Sequence, residues 1–132
     1  MIIGIDFDGT CVTHEFPKLG EDIGAQNVLS DLVKNGHQLI LWTMRSGEFL
    51  NDATKWFVNN NIPLYGINNN PNQIIWTSSP KAYCHIYIDD AALGCPLIIS
   101  DKSDRPYVNW NEVRRMLIEM GLIDKLDKQT KK

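Results

Sequence analysis

The chain has 132 residues, of which 43% are hydrophobic, 22% charged and 9% aromatic. This length suits one domain with a buried core, and this composition is typical of a folded protein rather than of a disordered segment. Thirteen basic and sixteen acidic residues give a net charge of −3, which excludes a general attraction for nucleic acid or for an anionic membrane. Any anionic substrate must therefore be bound by a local site.

The apolar segments and the cysteines indicate the compartment. Every apolar run is much shorter than the roughly 20 residues that a membrane span requires. The apolar N-terminus meets Asp6 and Asp8 before a signal-peptide cleavage site could follow. Cys11, Cys84 and Cys95 are an odd number without the spacing of a disulfide scaffold. We therefore expect reduced thiols, a cytoplasmic location and no membrane partner.

Strand-like and helix-like segments alternate along the chain. Short apolar runs rich in branched residues predict buried strands at 2–6, 37–43, 64–67 and 85–89. Apolar residues at helical spacing predict helices at 25–35, 48–60 and 110–120. Gly36 and Gly121 follow two of these helices as stops, and Asn109 and Glu112 form a capping-box-like pair before the third.

This alternation predicts an α/β fold of the Rossmann type. We expect a three-layer α/β/α sandwich with a central, mostly parallel sheet. Residues 1–124 would form a single catalytic domain, and 125–132 a polar C-terminal tail. In such open sheets, ligands bind beyond the carboxyl ends of the strands.

Polar residues stand at these strand ends. They are Asp6 and Asp8 after the first strand, Thr43 after the second, Lys81 just before the fourth, and Asp89 and Asp90 after it. Asp6 and Asp8 are two residues apart, so in extended backbone their side chains leave the same face and can converge. Gly9 then permits a sharp turn beside a ligand.

Four carboxylates at one edge of the sheet would repel one another. Each pair at roughly 4 Å costs about 4 kcal/mol at an effective dielectric constant of about 20, and Lys81 alone cannot offset this. Mg²⁺ can, because it prefers oxygen ligands and keeps room for water and substrate. One protonated carboxyl would remove the remaining negative charge before a phosphate arrives. These requirements describe two-step phosphoryl transfer, with one carboxylate as nucleophile and another carboxyl as general acid.

Four segments carry this chemistry in a recognisable order. They are Asp6-Phe-Asp-Gly-Thr10 after a hydrophobic strand, Thr43, Lys81, and Tyr87-Ile-Asp-Asp90. Together they resemble the motifs of the haloacid dehalogenase (HAD) superfamily of phosphatases. The resemblance implies that Asp6 is a nucleophile forming an aspartyl-phosphate, that Asp8 is the general acid/base, and that Thr43 and Lys81 bind the phosphoryl group. It also implies Mg²⁺ held by Asp6, Asp89, Asp90 and the backbone carbonyl of Asp8.

The spacing between these segments bears on the substrate. Each interval, from Asp8 to Thr43 and from Thr43 to Lys81, is occupied by one helix and loops, which leaves no room for a cap domain. This is similar to the capless branch of the superfamily, whose members act on large substrates or use a neighbouring subunit as a lid. A homo-oligomer that covers the open site is therefore one expectation.

Candidate substrate-binding residues lie beside the motifs. We place Gly9, Thr10 and Arg45 there, although a surface salt bridge is an equal alternative for Arg45. The amide-rich loop at 68–80 could contact substrate or could be a solvated turn. Which of Asp89 and Asp90 would ligate the metal directly stays open.

The favoured function is Mg²⁺-dependent hydrolysis of a phosphate monoester, with a phosphorylated sugar or another small metabolite as substrate. One alternative is a 5′/3′-nucleotidase or a nucleic-acid-end phosphatase of the same superfamily, although the negative charge argues against long polyanions. An alternative of another class is a receiver-like phosphorylation switch. Receivers carry an adjacent acidic pair after the first strand, whereas here Asp-x-Asp comes first and the adjacent pair comes late.

Overall fold

The computed structural model describes residues 1–124. They form a four-stranded parallel sheet, a two-stranded antiparallel sheet and three α-helices. The predicted polar tail at 125–132 lies outside the described residues. Within residues 1–124, no helix has both the length and the apolar character needed to cross a membrane.

The helices and parallel strands alternate as the sequence predicts. In chain order the elements are β1 (Ile2–Ile5), α1 (Ala25–Lys34), β2 (Gln38–Leu41), α2 (Gly47–Asn59), β3 (Gly66–Ile67), β4 (Ile86–Ile88), β5 (Leu97–Ile98), β6 (Tyr107–Val108) and α3 (Trp110–Glu119), with a 3₁₀ turn at Gln73–Ile75 between β3 and β4. All seven predicted elements are present, with ends that differ by at most two residues. The antiparallel pair of β5 and β6, which have two residues each, was not predicted.

The parallel sheet has the strand order β3-β2-β1-β4. β1 lies between β2 and β4, with Ile5 opposite both Leu41 and Ile88. The ladder continues past β1, because the Asp6 amide donates to the Ile88 carbonyl at 3.0 Å. Since all four strands run in one direction, the residues that follow β1, β2 and β4 meet at one edge of the sheet.

The core lies between the inner strands and the apolar faces of the helices. Ile3, Ile5 and Leu39 are completely buried in the sheet, as are Leu29 on α1 and Phe57 on α2. Burying a side chain of this size contributes roughly 1.5–3 kcal/mol, so these strands form a firm support for the loops at their ends. α1 packs against α3, and the Arg114–Asp31 ion pair joins these two helices at 2.8 Å.

One of the predicted helix ends forms as expected, and another forms only in part. Gly36 ends α1 with φ +88°, as a C-terminal glycine should. At α3, the Asn109 side chain accepts the Glu112 amide at 3.1 Å. The reciprocal half of the capping box does not form, because the Glu112 carboxylate pairs with Arg115 and the Asn109 amide donates to the Pro96 carbonyl.

Candidate active site

Three carboxylates meet where β1 and β4 end, and we call Asp6, Asp89 and Asp90 the acidic cluster. Each offers an oxygen within 4.8 Å of the others, and each residue is half-buried. Asp6 directly follows β1, while Asp89 and Asp90 directly follow β4. Because β1 and β4 are neighbouring parallel strands, residues far apart in sequence are brought together here. Among residues 1–124, this is the one group of three or more acidic, histidine or cysteine side chains close enough to share a metal ion.

Thr10 joins the two halves of the acidic cluster. Its hydroxyl donates to Asp6 Oδ2 at 2.9 Å and lies 3.2 Å from Asp90 Oδ1. It also accepts the Asp90 backbone amide at 3.0 Å. The residue is fully buried, so the structure places Thr10, expected at the substrate, between the carboxylates instead.

The turn that carries Thr10 is held by hydrogen bonds from β6 and from the start of α3. Gly9 has φ +82°, and a Cβ atom there would collide with the Asp90 carboxylate. The Gly9 carbonyl accepts the Val108 amide at 3.0 Å, and the Thr10 carbonyl accepts the Trp110 indole N–H at 2.7 Å. Val108 and Trp110 therefore position the turn, and sequence reasoning missed this role. Their acceptors are backbone carbonyls about one hundred residues away, which leave no mark on the local sequence.

The electrostatics of the acidic cluster follow from burial and like charge. Burial first, then the hydrogen bond with Asp90 and the charge of Asp89, together raise the pKa of Asp6 from 3.8 to about 8, against the opposing hydrogen bond from the Thr10 hydroxyl. Burial also raises the pKa of Asp89. Without a bound cation, the acidic cluster therefore retains a proton at neutral pH. A divalent cation can replace that proton and offset most of the negative charge of the three carboxylates.

Asp8 does not belong to the acidic cluster. Its carboxylate accepts two hydrogen bonds from Arg45, from Nε at 2.8 Å and from Nη2 at 2.7 Å. The Arg45 side chain is 1% exposed and that of Asp8 is 12% exposed. Asp8 lies three residues past the end of β1 and is bonded by Arg45, whereas Asp6 is bonded by Thr10. The sequence predicted that both carboxylates would converge, whereas the structure gives them different hydrogen-bond partners.

The Arg45 guanidinium is enclosed by hydrogen-bond acceptors and aromatic rings. Its remaining guanidinium N–H groups donate to the carbonyls of Pro17, Lys18 and Phe49. The guanidinium carbon lies 5.1 Å from the centre of the Phe7 ring and 5.1 Å from that of Phe16. The sequence offered a substrate contact or a surface ion pair for Arg45, whereas the structure shows a buried ion pair.

Thr43 and Lys81 occupy different environments. Thr43 is half-buried after β2, and its backbone amide donates to Asn68 Oδ1 at 2.8 Å. Its hydroxyl oxygen accepts the Arg45 amide at 3.1 Å, which leaves the hydroxyl hydrogen available for a ligand. Lys81 is exposed, with its ammonium 5.5 Å from the centre of the Tyr87 ring. In the described part of the chain, no salt bridge links Lys81 to the acidic cluster.

Most residues of the amide-rich loop at 68–80 are exposed, but two of its amides are buried and hydrogen-bonded. Gln73 is buried, and its side-chain amide donates to the carbonyls of Ser79 at 3.1 Å and Lys81 at 2.9 Å. The Gln73 side-chain carbonyl accepts the Tyr83 amide at 2.7 Å. Asn70 is also buried and donates to the Tyr83 carbonyl. Gln73 and Asn70 therefore fix the backbone that presents Lys81, while Asn68 of the same loop bonds the amide of Thr43.

One solved structure is similar to this chain in both sequence and fold. The chain resembles the structure of a conserved protein coded by a locus from Bacteroides thetaiotaomicron, with a TM-score of 0.74 and 33% identity, and the match covers 91% of each chain. No protein-family profile matches the chain, and no curated protein matches it. The description of the Bacteroides structure names no activity, so activity must be argued from the site. Identity and coverage of this size show that the chain belongs to the same family as that conserved Bacteroides protein.

Proposed function

We propose that this protein is a Mg²⁺-dependent phosphatase that hydrolyses a phosphate monoester through an aspartyl-phosphate on Asp6. One observation carries the proposal: Asp6 lies within 4.8 Å of the carboxylates of Asp89 and Asp90, at the ends of two neighbouring parallel strands. A capless HAD-type fold in three layers and a cytoplasmic location belong to the same proposal. The strand order supports that fold, as do α1, which connects β1 to β2, and α2, which connects β2 to β3.

The donor set fits the proposed metal. Asp6, Asp89 and Asp90 offer hard oxygen ligands, and the resemblance adds the backbone carbonyl of Asp8. This number of protein ligands leaves positions for water and substrate oxygens, which Mg²⁺ favours. When bound, Mg²⁺ would offset the negative charge of the carboxylates and polarise the phosphoryl group.

In the proposed reaction, the Asp6 carboxylate attacks phosphorus while the bond between phosphorus and the ester oxygen breaks. The Asp8 carboxyl enters this step protonated and gives its proton to the leaving oxygen, which departs as an alcohol and leaves the Asp8 carboxylate paired with Arg45. Water then attacks the aspartyl-phosphate and gives a proton to Asp8, which restores Asp6 and releases phosphate. The hydrogen bond from Thr10 to Asp6 Oδ2 orients the nucleophile.

Thr43 and Lys81 are proposed to bind the phosphoryl oxygens. The free hydrogen of the Thr43 hydroxyl supports this role. Lys81 is exposed, and its long side chain can move from the Tyr87 ring towards a phosphate. A hydroxyl and an ammonium in these places would stabilise the charge that shifts onto the phosphoryl oxygens in the transition state.

The open site raises the question of what covers a small substrate. No separate lid domain is present among residues 1–124. A phosphorylated sugar or another small metabolite is the proposed substrate, and a second copy of the chain is the proposed cover. A screen of phosphorylated sugars, sugar acids and nucleotides identifies the substrate. Light scattering that shows a monomer would remove the second copy from the proposal.

The central test is turnover of p-nitrophenyl phosphate by the unsubstituted protein and by Asp6→Asn. We expect Mg²⁺-dependent turnover that falls by about 10³-fold or more in the variant, because the nucleophile is lost. Asp52→Asn is the matched control, because Asp52 is an exposed residue of α2 outside the acidic cluster. Equal rates for Asp6→Asn and the unsubstituted protein would reject Asp6 as nucleophile.

A second measurement tests the covalent step. Asp8→Asn removes the group that activates water, so the phosphorylated form should accumulate with an activated ester whose leaving group needs no proton. Intact mass spectrometry after acid quenching should then show one added phosphoryl group, absent from the Asp6→Asn/Asp8→Asn double variant. Stoichiometric phosphorylation without multiple turnover in the unsubstituted protein would indicate the receiver-like switch instead.

A further inference from the structure

The buried pair of Asp8 and Arg45 has a role that the proposed reaction does not yet use. We propose that Arg45 is the positioning residue of the general acid/base: it holds the Asp8 carboxylate for proton transfer and contacts neither phosphate nor metal. This inference rests on the proposed function, because it requires Asp8 to exchange a proton with the leaving oxygen and with water.

The geometry of the pair fixes both the place and the plane of the Asp8 carboxylate. Arg45 Nε bonds Asp8 Oδ2 and Arg45 Nη2 bonds Asp8 Oδ1, at 2.8 and 2.7 Å. A guanidinium and a carboxylate joined in this way lie in one plane, since the two N–H groups point in parallel. Asp8 lies past the end of β1, where its backbone forms an isolated bridge with Val12, and both hydrogen bonds to its carboxylate come from Arg45.

The hydrogen-bond inventory argues against direct substrate binding by Arg45. An arginine side chain has five N–H donors. Two are used by Asp8, and the other three have backbone acceptors in Pro17, Lys18 and Phe49. With the side chain 1% exposed, no donor remains for a phosphate and no path leads to one.

The anchoring of Arg45 shows what sets the position of Asp8. The guanidinium lies over the ring of Phe7, which is completely buried, and over the ring of Phe16, which is an exposed residue. Its backbone amide donates to the Thr43 hydroxyl oxygen at 3.1 Å. Arg45 thus connects the Asp8 turn, the Phe16 loop and the segment after β2, and these parts together determine where the carboxylate stands.

The expected effect is on the rate of the chemical step. A misplacement of about 1 Å in a reacting group can cost about 10²-fold in rate. We therefore expect Arg45→Gln to lower kcat by about 10- to 100-fold, with KM unchanged within about twofold. A residue that bound the phosphate directly would instead raise KM.

A double-mutant cycle separates positioning from other roles. The four proteins are the unsubstituted protein, Arg45→Gln, Asp8→Asn and the double variant, assayed with phenyl phosphate and with dinitrophenyl phosphate. Arg45→Gln should lower kcat in the presence of Asp8 but change it by less than about twofold in the Asp8→Asn background. The loss should be larger for phenyl phosphate, because its leaving oxygen needs a proton most.

Two further variants guard against a trivial loss of folding. Arg45→Lys keeps the positive charge but lacks the bidentate geometry, so its kcat should lie between those of Arg45→Gln and the unsubstituted protein. Arg114→Gln is the matched control, because it removes an arginine from the ion pair with Asp31 between α1 and α3. It should leave kcat unchanged, and circular dichroism checks the folding of each variant.

The outcomes distinguish the two proposals. Turnover by the unsubstituted protein, with equal losses from Arg45→Gln in both Asp8 backgrounds or with a raised KM, would overturn the positioning role and leave the phosphatase proposal intact. If Arg45→Gln is unfolded, a leaving-group dependence in Arg45→Lys equal to that of the unsubstituted protein has the same consequence. No turnover of any ester by the unsubstituted protein would refute both.

Discussion

The acidic cluster and the Asp8–Arg45 pair begin two residues apart in the chain and balance charge in opposite ways. In the acidic cluster, three carboxylates lie together, and no salt bridge reaches them in the region that the structure describes. At Asp8, one buried guanidinium matches one carboxylate with two short hydrogen bonds. The difference shows that closeness in sequence does not imply a shared electrostatic environment. The chain neutralises Asp8 itself and leaves the acidic cluster for a ligand to neutralise.

The contrast has an energetic consequence. An ionised carboxylate that lies among like charges without a cation destabilises the folded state. A carboxylate paired with a buried cation stabilises it, because the cation would otherwise be buried without a counter-charge. Removing the negative charge should therefore have opposite effects on stability at Asp6 and at Asp8.

The largest expected effect is that of Asp8→Ala. It should lower the free energy of unfolding by about 3–5 kcal/mol, because Arg45 is left buried without its carboxylate. Urea denaturation followed by circular dichroism measures this change. Asp31→Ala, which breaks the more exposed pair with Arg114, should cost about 1 kcal/mol or less. Similar small losses of stability in both variants would show that the Asp8–Arg45 pair does not stabilise the fold more than an exposed ion pair does.

Asp6→Asn should have the opposite sign in the absence of divalent cations. It should raise the free energy of unfolding at pH 8 by on the order of 2 kcal/mol, because an uncharged amide is not repelled by Asp89 and Asp90. The pKa of Asp6 is about 8 in the fold and 3.8 as the ordinary value. Between these values the native state holds a proton that the unfolded state releases, so stability falls as the pH rises.

The difference between Asp6→Asn and the unsubstituted protein should therefore widen from pH 5 to pH 8 and become constant above. Urea denaturation in a chelator at each pH measures it. A pH-independent difference, or a destabilised Asp6→Asn variant, would show that the acidic cluster is already neutralised by the protein.

Magnesium affinity should depend on the same proton. Mg²⁺ must replace the proton on Asp6, so its affinity should rise by up to about tenfold per pH unit below pH 8 and level off above it. Isothermal titration calorimetry from pH 6 to pH 9 measures this pH dependence. The dependence should be weaker in the Asp6→Asn variant. A flat profile in the unsubstituted protein would mean that Asp6 is not a ligand.

Trp110→Phe should have the smallest effect. It leaves the buried Thr10 carbonyl without its indole donor, which should cost about 1–2 kcal/mol of stability. It should also weaken Mg²⁺ binding a few-fold, since the turn carrying Thr10 is less well held. Trp56→Phe is the matched control, because the Trp56 indole donates to Asp22 instead and should not affect Mg²⁺ affinity. Equal effects on affinity in both variants would show that Trp110 acts only through general stability.

Much of the architecture was accessible from the sequence. Apolar runs such as Leu39–Leu41 can be satisfied only by burial on both faces of a sheet, and the resulting alternation with helices gave all seven predicted elements. The placement of Asp6 beside Asp89 follows from the same reasoning, because polar residues after parallel strands meet at one edge. The antiparallel pair of two-residue strands β5 and β6 was not predicted, although its partners are only 9–11 residues apart.

The sequence by itself determined which residues are buried in the strands and which carboxylates stand at the strand ends, because these depend on local polarity and periodicity. Only the tertiary structure decided that Asp8 turns away to Arg45, that Trp110 holds the Thr10 turn, and that the amide of Gln73 fixes the backbone of Lys81. Such hydrogen bonds join groups distant in the chain, often through backbone atoms that every residue possesses. No residue pattern encodes their partners, so the packing of the elements selects them.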